Sequence, residues 1–388
     1  MIDPTATEIS AEQLRAALVA HEPVTVLDIR HAPDSAEWSI PGSVHLDVYD
    51  AVGTNQASAL DAFLPPELGP VVTVCYRGNT SMLAMAQLRR RGIPAVSLHG
   101  GMRDWSLAWN AAAVTTGGRT DGQTDGNAEI LQIRRTGKGC LSYMVVSAGK
   151  AAVIDPSVDP EVYLHLAADR HWTIVAVLDT HVHADHLSRA RKLAELAGAK
   201  VYLPDQERVK YPFTPLRDGD VVRVGDATLT TLSTPGHTFE SACYVLDAPA
   251  AQPPSRPSAV FTGDTLFLST VGRPDLAAKA DEETKKRARL LYASLQRLKS
   301  LAPGTVVLPC HSSQPVAFDG KALSGTVEEV CRRAELLRLA ESEFVDTLLA
   351  RIPAPPGNHL KIVQLNEAGE LPADPRDLEA GANRCAVG

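Results

Sequence analysis

The stretch 173–186, TIVAVLDTHVHADH, decides how the rest of the chain is read. Its first half is an apolar, β-branched run of strand length, the pattern of a buried strand. Its second half places His181, His183, Asp185 and His186 within six residues at the end of that strand. Imidazoles and carboxylates this close together are the donor types of a metal centre. Three more donors follow apolar runs further on: His237 in Pro235-Gly236-His237-Thr238, Asp264 in Thr262-Gly263-Asp264-Thr265, and His311 in Pro309-Cys310-His311. Five of the chain's twelve histidines therefore sit in loops after strands. His21, His31, His45, His99, His165, His171 and His359 have no such setting and read as structural or solvated.

Outward from this stretch, LQIRR, SYMVVSA and AAVID read as a β-meander, followed by a helix over 159–170. Beyond the histidines come strands VVRV, TLTTLST, CYVLD and AVFTG, a helix over about 281–300, strand TVVLP and a helix over 324–351. Two strand-rich runs, each closed by helices, predict a sandwich of two sheets with helices outside, an αββα order. Upstream, TTGGRTDGQTDGNA (115–128) has nothing to bury and reads as a linker. It divides the chain into a first unit, 1–114, and a second, 129–388. In the first unit Ser10 and Gln13 form a capping box for the helix AEQLRAALVA. Strands VTVLDI, VVTVC and AVSLH then alternate with helices over 79–91 and at MRDWSLAW, which predicts an α/β unit with a parallel sheet. The last segment, Leu371 to Gly388, either packs on the second unit or reaches a partner.

The first unit has its own chemical signal. Cys75 ends a strand and enters the short loop Tyr76-Arg77-Gly78-Asn79-Thr80, which runs into a helix. Such a loop turns successive N–H groups inward and adds the positive end of a helix. A thiolate there is stabilised, its pKa is depressed and it becomes a nucleophile, with Arg77 adding positive charge. The same cradle suits a persulfide or a sulfur oxyanion.

These residues resemble the rhodanese family across the first unit. The resemblance includes Asp28-Ile29-Arg30 at a strand end, the six-residue loop Cys75–Thr80, and Gly100-Gly101-Met102 with Trp105. It implies a persulfide on Cys75 and a bracing role for the Asp28/Arg30 pair. The loop is short, as in single-domain sulfurtransferases, which disfavours phosphatase chemistry. The second unit resembles the metallo-β-lactamase superfamily over nearly all of 129–370. In its glyoxalase II branch His181, His183 and His237 would hold one zinc, Asp185, His186 and His311 another, and Asp264 would bridge. In its persulfide dioxygenase branch His181, His237 and Asp264 would hold one Fe(II), a two-histidine, one-carboxylate set with open positions. His183, Asp185, His186 and His311 then orient the ligands.

Context favours the second branch. Gly263-Asp264-Thr265-Leu266-Phe267 leading to Val271-Gly272-Arg273-Pro274-Asp275 is similar to it, as is Gly139-Cys140-Leu141-Ser142-Tyr143 leading to Ile154-Asp155-Pro156. Arg273 either binds a substrate carboxylate or braces its loop through Asp275. Ser312 and Ser313 stand where glutathione-using relatives carry an acidic residue and a tyrosine, so the thiol carrier is glutathione by default, with another thiol or CoA persulfide open. A rhodanese unit beside a persulfide dioxygenase joins two steps of sulfane-sulfur chemistry, with sulfite or thiosulfate passing between them. A third reading makes the first unit a partner-binding or redox-sensing module without catalysis. A net charge of −8 argues against nucleic acid or an anionic membrane as partner. No apolar run reaches membrane-spanning length, no signal peptide is evident, and six scattered cysteines without CxxC suggest a reducing cytoplasm. The sequence is compatible with a homo-oligomer.

Overall fold

In the computed structural model, residues 2–66, 69–115, 128–247, 258–276, 278, 280–312 and 316–387 are described. Residues 116–127, most of the expected linker, lie outside these, as does Ser313.

Strand alternation builds the second unit. In Cys140–Ser147, Tyr143 and Val145 face the core between two sheets, whereas Met144 and Val146 face a helical layer. In Ala242–Asp247, Tyr244 and Leu246 enter the same inner core and Cys243 and Val245 turn outward. A period of two on both faces makes each strand apolar throughout, as a covered sheet requires. One sheet has seven strands, antiparallel through the meander and parallel beyond it; its helices include Pro160–Asp169 and Ala190–Ala197. The other has six, covered by Asp281–Lys299 and Glu341–Ala350. The αββα order is the observed one.

The expected helix over 324–351 is three pieces: Val327–Arg333, a 3-10 turn Glu335–Arg338, and Glu341–Ala350. Ala334 and Ala340 are extended between them. The breaks let Val330, then Leu336 and Leu337, then Phe344 and Leu348 each reach the outer core, which overrides local helix propensity.

The first unit is a five-stranded, wholly parallel sheet. Its strands Thr25–Asp28, Val71–Val74 and Ala95–Leu98 are buried along their whole length. The Ser10–Gln13 capping box is present, with reciprocal bonds of 3.1 and 2.8 Å. Asp28 and Arg30 form a buried two-pronged pair at 2.9 and 2.7 Å, which ties the loop after the strand. The strand Asn110–Ala113, assigned to the first unit by the division at residue 114, pairs instead with Ala128–Arg135 and edges the seven-stranded sheet. Contacts join the two units: Trp38 Nε1 donates to the Gly137 carbonyl at 2.7 Å, and Phe318 packs on Trp105. The final segment packs against both units, through Arg376–Glu379 and through Ala386–Val387 paired with Val271–Gly272.

Candidate functional site

Parallel strands point their C-terminal ends the same way, so the loops that follow them gather on one edge. His181–His186 follow Thr173–Leu178, Asp264 follows Ala259–Gly263, and His311 follows Val306–Pro309. His237 arrives from the turn after Ala227–Ser233. All seven donors are buried.

The structure groups them unequally. Donor atoms of His181, His237 and Asp264 lie within 4.8 Å of one another, and so do those of Cys140, Asp185, His186 and His311. His183 falls in a third group with Asp155 and Cys310. Each ring is oriented from behind. His237 Nδ1 donates to the Arg273 carbonyl at 2.8 Å, which leaves Nε2 as an acceptor 3.6 Å from Asp264 Oδ2. His181 Nδ1 lies 2.9 Å from Thr180 Oγ1, whose hydroxyl in turn donates to Asp155. His183 Nε2 is 3.2 Å from Asp155 Oδ1, and His186 Nδ1 is 3.0 Å from Asp185 Oδ1. His311 bridges two carboxylates, Asp264 Oδ1 at 2.5 Å and Asp185 Oδ2 at 2.8 Å.

Of the seven donor residues, four have a buried polar atom with no hydrogen-bond partner: His181 Nε2, His183 Nδ1, His186 Nε2 and Asp264 Oδ2. An unpaired buried polar group is costly, and a cation between imidazole lone pairs and a carboxylate removes that cost. The donor set fits a metal ion. Burial, reinforced by neighbouring His183, keeps His181 well below the usual imidazole range. Burial likewise lowers His237. For Asp264 burial works in the other direction, but His311 more than offsets it and holds the carboxyl below its ordinary range. Both states, neutral imidazole and ionised carboxylate, are those that ligate metals.

The Gly272-Arg273 segment is packed against Asp264. A Cβ at Gly272 would stand 1.8 Å from the Asp264 carbonyl oxygen. Arg273 is fully buried: Nε and Nη2 grip Asp275 at 2.7 and 2.8 Å, and its other donors reach the carbonyls of Pro353, Ala354 and Arg384. Its five N–H groups are all engaged by protein acceptors, the arrangement that the bracing alternative for Arg273 requires. Ser312 donates its N–H to the Gly139 carbonyl at 2.8 Å.

At Cys75 the N–H groups that reach the sulfur come from the main chain. The sulfur accepts N–H groups of Gly78 at 3.2 Å and Ser81 at 3.4 Å, and Gly78 holds φ +92° so that the loop can turn. Asn79 and Thr80 already belong to the helix Asn79–Arg90. The Ser81 hydroxyl lies 3.4 Å from the sulfur and 2.9 Å from Ser97 Oγ, a pair that the loop motif did not single out. Arg77, expected beside the thiol, is largely exposed, with its guanidinium 3.7 Å from Asp377 of the final segment and near the Tyr76 ring. A cleft of about 400 Å³ opens here, lined by Arg77, Asn79, His99, Arg103 and Arg376 among others. His99, read as structural or solvated from sequence, and Arg376, 301 positions beyond Cys75, come to this cleft through folding alone.

The chain belongs to the metallo-beta-lactamase superfamily, which matches residues 135–311, and carries a rhodanese-like domain over residues 10–108. It is 33% identical over 227 residues to a probable metallo-hydrolase of Burkholderia pseudomallei strain 1710b, covering 52% of this chain and 74% of that protein. A hydroxyacylglutathione hydrolase of Pseudomonas putida strain W619 is 33% identical over 42% of this chain, which spans 57% of that hydrolase. Among solved structures, ETHE1 from Myxococcus xanthus is similar at 28% identity and a TM-score of 0.52, covering 62% of this chain and 98% of that one. A metallo-beta-lactamase from Staphylococcus aureus gives 26% identity and a TM-score of 0.56, covering 63% and 73%. Among the described residues no helix is long and apolar enough to cross a membrane.

Proposed function

We propose that this chain is a bifunctional enzyme of sulfur metabolism acting in the cytoplasm. Its second unit oxidises the persulfide of a small thiol, glutathione by default, in the balance R–S–SH + O₂ + H₂O → R–SH + SO₃²⁻ + 2 H⁺. Its first unit moves sulfane sulfur through Cys75; with sulfite as acceptor, a Cys75 persulfide gives thiosulfate and the free thiolate. The observation that carries this reading is a pairing on one chain. A main-chain cradle holds the Cys75 sulfur, and a three-donor cluster, His181, His237 and Asp264, has atoms without protein partners.

One Fe(II) held by these three residues would supply open positions at which a persulfide sulfur and O₂ meet. The protein's part is to present the donors in the right state. The Arg273 carbonyl fixes the proton on His237 Nδ1, and Thr180, backed by Asp155, fixes the orientation of His181. Asp185 and His311 form a bonded network alongside, which supports their role as orienting groups. In the first unit the Gly78 and Ser81 N–H groups stabilise negative charge on the sulfur that attacks or leaves.

The runner-up is a binuclear zinc thioester hydrolase, favoured by the unpartnered His183 Nδ1 and His186 Nε2 and by the hydrolase relatives. Metal content and O₂ uptake with glutathione persulfide, on protein purified without added metal, separate the two. The expected result is about one iron per chain and persulfide-dependent O₂ consumption. About two zinc per chain and no O₂ uptake would overturn it. Asp264→Ala is expected to abolish both iron binding and O₂ uptake; stoichiometric iron in that variant would sink the ligand assignment.

A further inference from the structure

The final segment runs from the Cys75 cleft to the metal centre and is anchored at several points. Asp374 and Asp377 hold Arg103 at 2.7 and 2.6 Å, and Arg376 reaches Asp104 at 2.8 Å. Glu379, fully buried, binds Arg135 and Arg189. Ala386–Val387 pairs with Val271–Gly272, the strand that follows the Asp264 loop. Asn383 lies between the last two anchors. Its Oδ1 accepts the Cys385 N–H at 2.8 Å, which fixes the amide so that Nδ2 donates to Asp185 Oδ2 at 2.6 Å.

Asp185 belongs to the group with Cys140, His186 and His311, whose composition and spacing suit a divalent cation. Its carboxylate is nevertheless taken up by the protein. Oδ1 is 3.0 Å from His186 Nδ1, while Oδ2 meets His311 Nε2 at 2.8 Å, Asn383 Nδ2 at 2.6 Å and the Cys140 sulfur at 3.7 Å. Each carboxylate oxygen offers about two lone-pair sites, and on Oδ2 the two close partners, His311 and Asn383, occupy both, with the Cys140 sulfur a longer contact. Asp264 differs: its Oδ2 has no protein partner. Of the four groups around Asp185, Asn383 alone is neither a potential ligand nor part of the central fold. It is brought in by a segment 198 residues away in sequence.

We infer that Asn383 is a specificity-determining residue for metal stoichiometry. It takes the place on Asp185 Oδ2 that a second divalent cation would need, and so keeps the centre at the single ion of His181, His237 and Asp264. The inference rests on the one-ion reading above. Removing the amide frees one lone pair and leaves space beside Asp185, while Glu379 and the strand pairing still hold the segment in place.

The test uses the full chain as wild type, Asn383→Ala and Asn383→Asp. Each is stripped of metal, equilibrated with excess Zn(II), desalted, and measured for metal per protein; a Co(II) titration followed by its visible absorption gives a second readout. The expected result is about one ion in the wild type and about two in Asn383→Ala, with the second ion tighter in Asn383→Asp, where a carboxylate joins the site. One ion in all three proteins overturns the inference and leaves the one-ion reading standing. Two ions in the wild type overturn the one-ion reading itself. Circular dichroism establishes folding, and if the alanine variant does not fold, the nearly isosteric Asn383→Asp carries the test.

Discussion

Around Cys75 the groups that stabilise charge are main-chain N–H groups set by a loop and a helix start. Around Asp264 they are side chains drawn from several strand ends, each held by a further partner. The first arrangement is local, since a few consecutive residues build it, and a cleft of about 400 Å³ opens beside it. The second is buried and non-local, and most of its groups have pKa values displaced by burial and by one another. A site built from backbone tolerates changes in surrounding side chains. A site built from mutually dependent side chains does not.

The largest expected effect that isolates the two is Cys75→Ser. It removes the loop's one thiol while keeping its shape, so thiosulfate:thiol sulfur transfer falls to background. Metal content and persulfide-dependent O₂ uptake stay at wild-type level. Retained sulfur transfer would make the first unit a binding module, and a loss of bound metal would break the independence of the two sites.

Glu379→Gln comes next and acts on what anchors the final segment inside the second unit. It leaves Arg135 and Arg189 without their buried counter-charge, a loss of about 3–5 kcal/mol by analogy with broken buried pairs. Urea unfolding of both proteins at neutral pH checks this. The pair also sets a pH dependence. Burial opposes ionisation of Glu379, but Arg135 and Arg189 more than offset it and hold its carboxyl below the usual range. The unfolded chain then binds the proton first as pH falls, so the stabilisation is complete above about pH 4.3 and is lost below it. Glu379→Gln should flatten that part of the stability profile.

Smaller still is Arg273→Lys. A lysine cannot reproduce the two-pronged grip on Asp275 together with three carbonyl contacts. Stability should drop by about 1–3 kcal/mol as buried carbonyls lose donors. The KM for persulfide should stay within about twofold, because every donor of Arg273 is already engaged by the protein. A large rise in KM with unchanged stability would decide for the substrate-binding role.

The legibility of these features follows the same local and non-local division. Val71–Val74 and Thr173–Leu178 are apolar runs rich in β-branched residues, and each is largely buried between parallel neighbours, as such runs require. The histidine-rich loop could be read because its donors lie within six residues of one another. Asn110–Ala113 could not: Asn-Ala-Ala-Ala carries no strand preference, and only pairing with Ala128–Arg135 makes it a strand. The broken helix over 327–350 contains no Gly or Pro to mark its breaks, which come from the shape of the core it covers. Glu379 and Asn383 look like ordinary residues of a polar tail until folding brings them to Arg135 and Asp185.

The smallest effect is expected where the final segment meets the Cys75 cleft. Asp377 is exposed, pairs with Arg103 at 2.6 Å and lies 3.7 Å from Arg77. Exposed pairs of this kind contribute little and are screened by salt. In Asp377→Asn, Arg103 keeps its bond to Asp374, so the segment stays anchored. Sulfur transfer should change by less than about threefold, and the difference from wild type should fade as salt is raised. Arg77 then has one fewer carboxylate near it and is freer to face the sulfur, so any small change should be an increase for anionic acceptors such as sulfite. A tenfold loss that persists at high salt would mean that the segment shapes the cradle itself. The Cys75 site would then depend on distant side chains just as the Asp264 site does, and the contrast between the two would collapse.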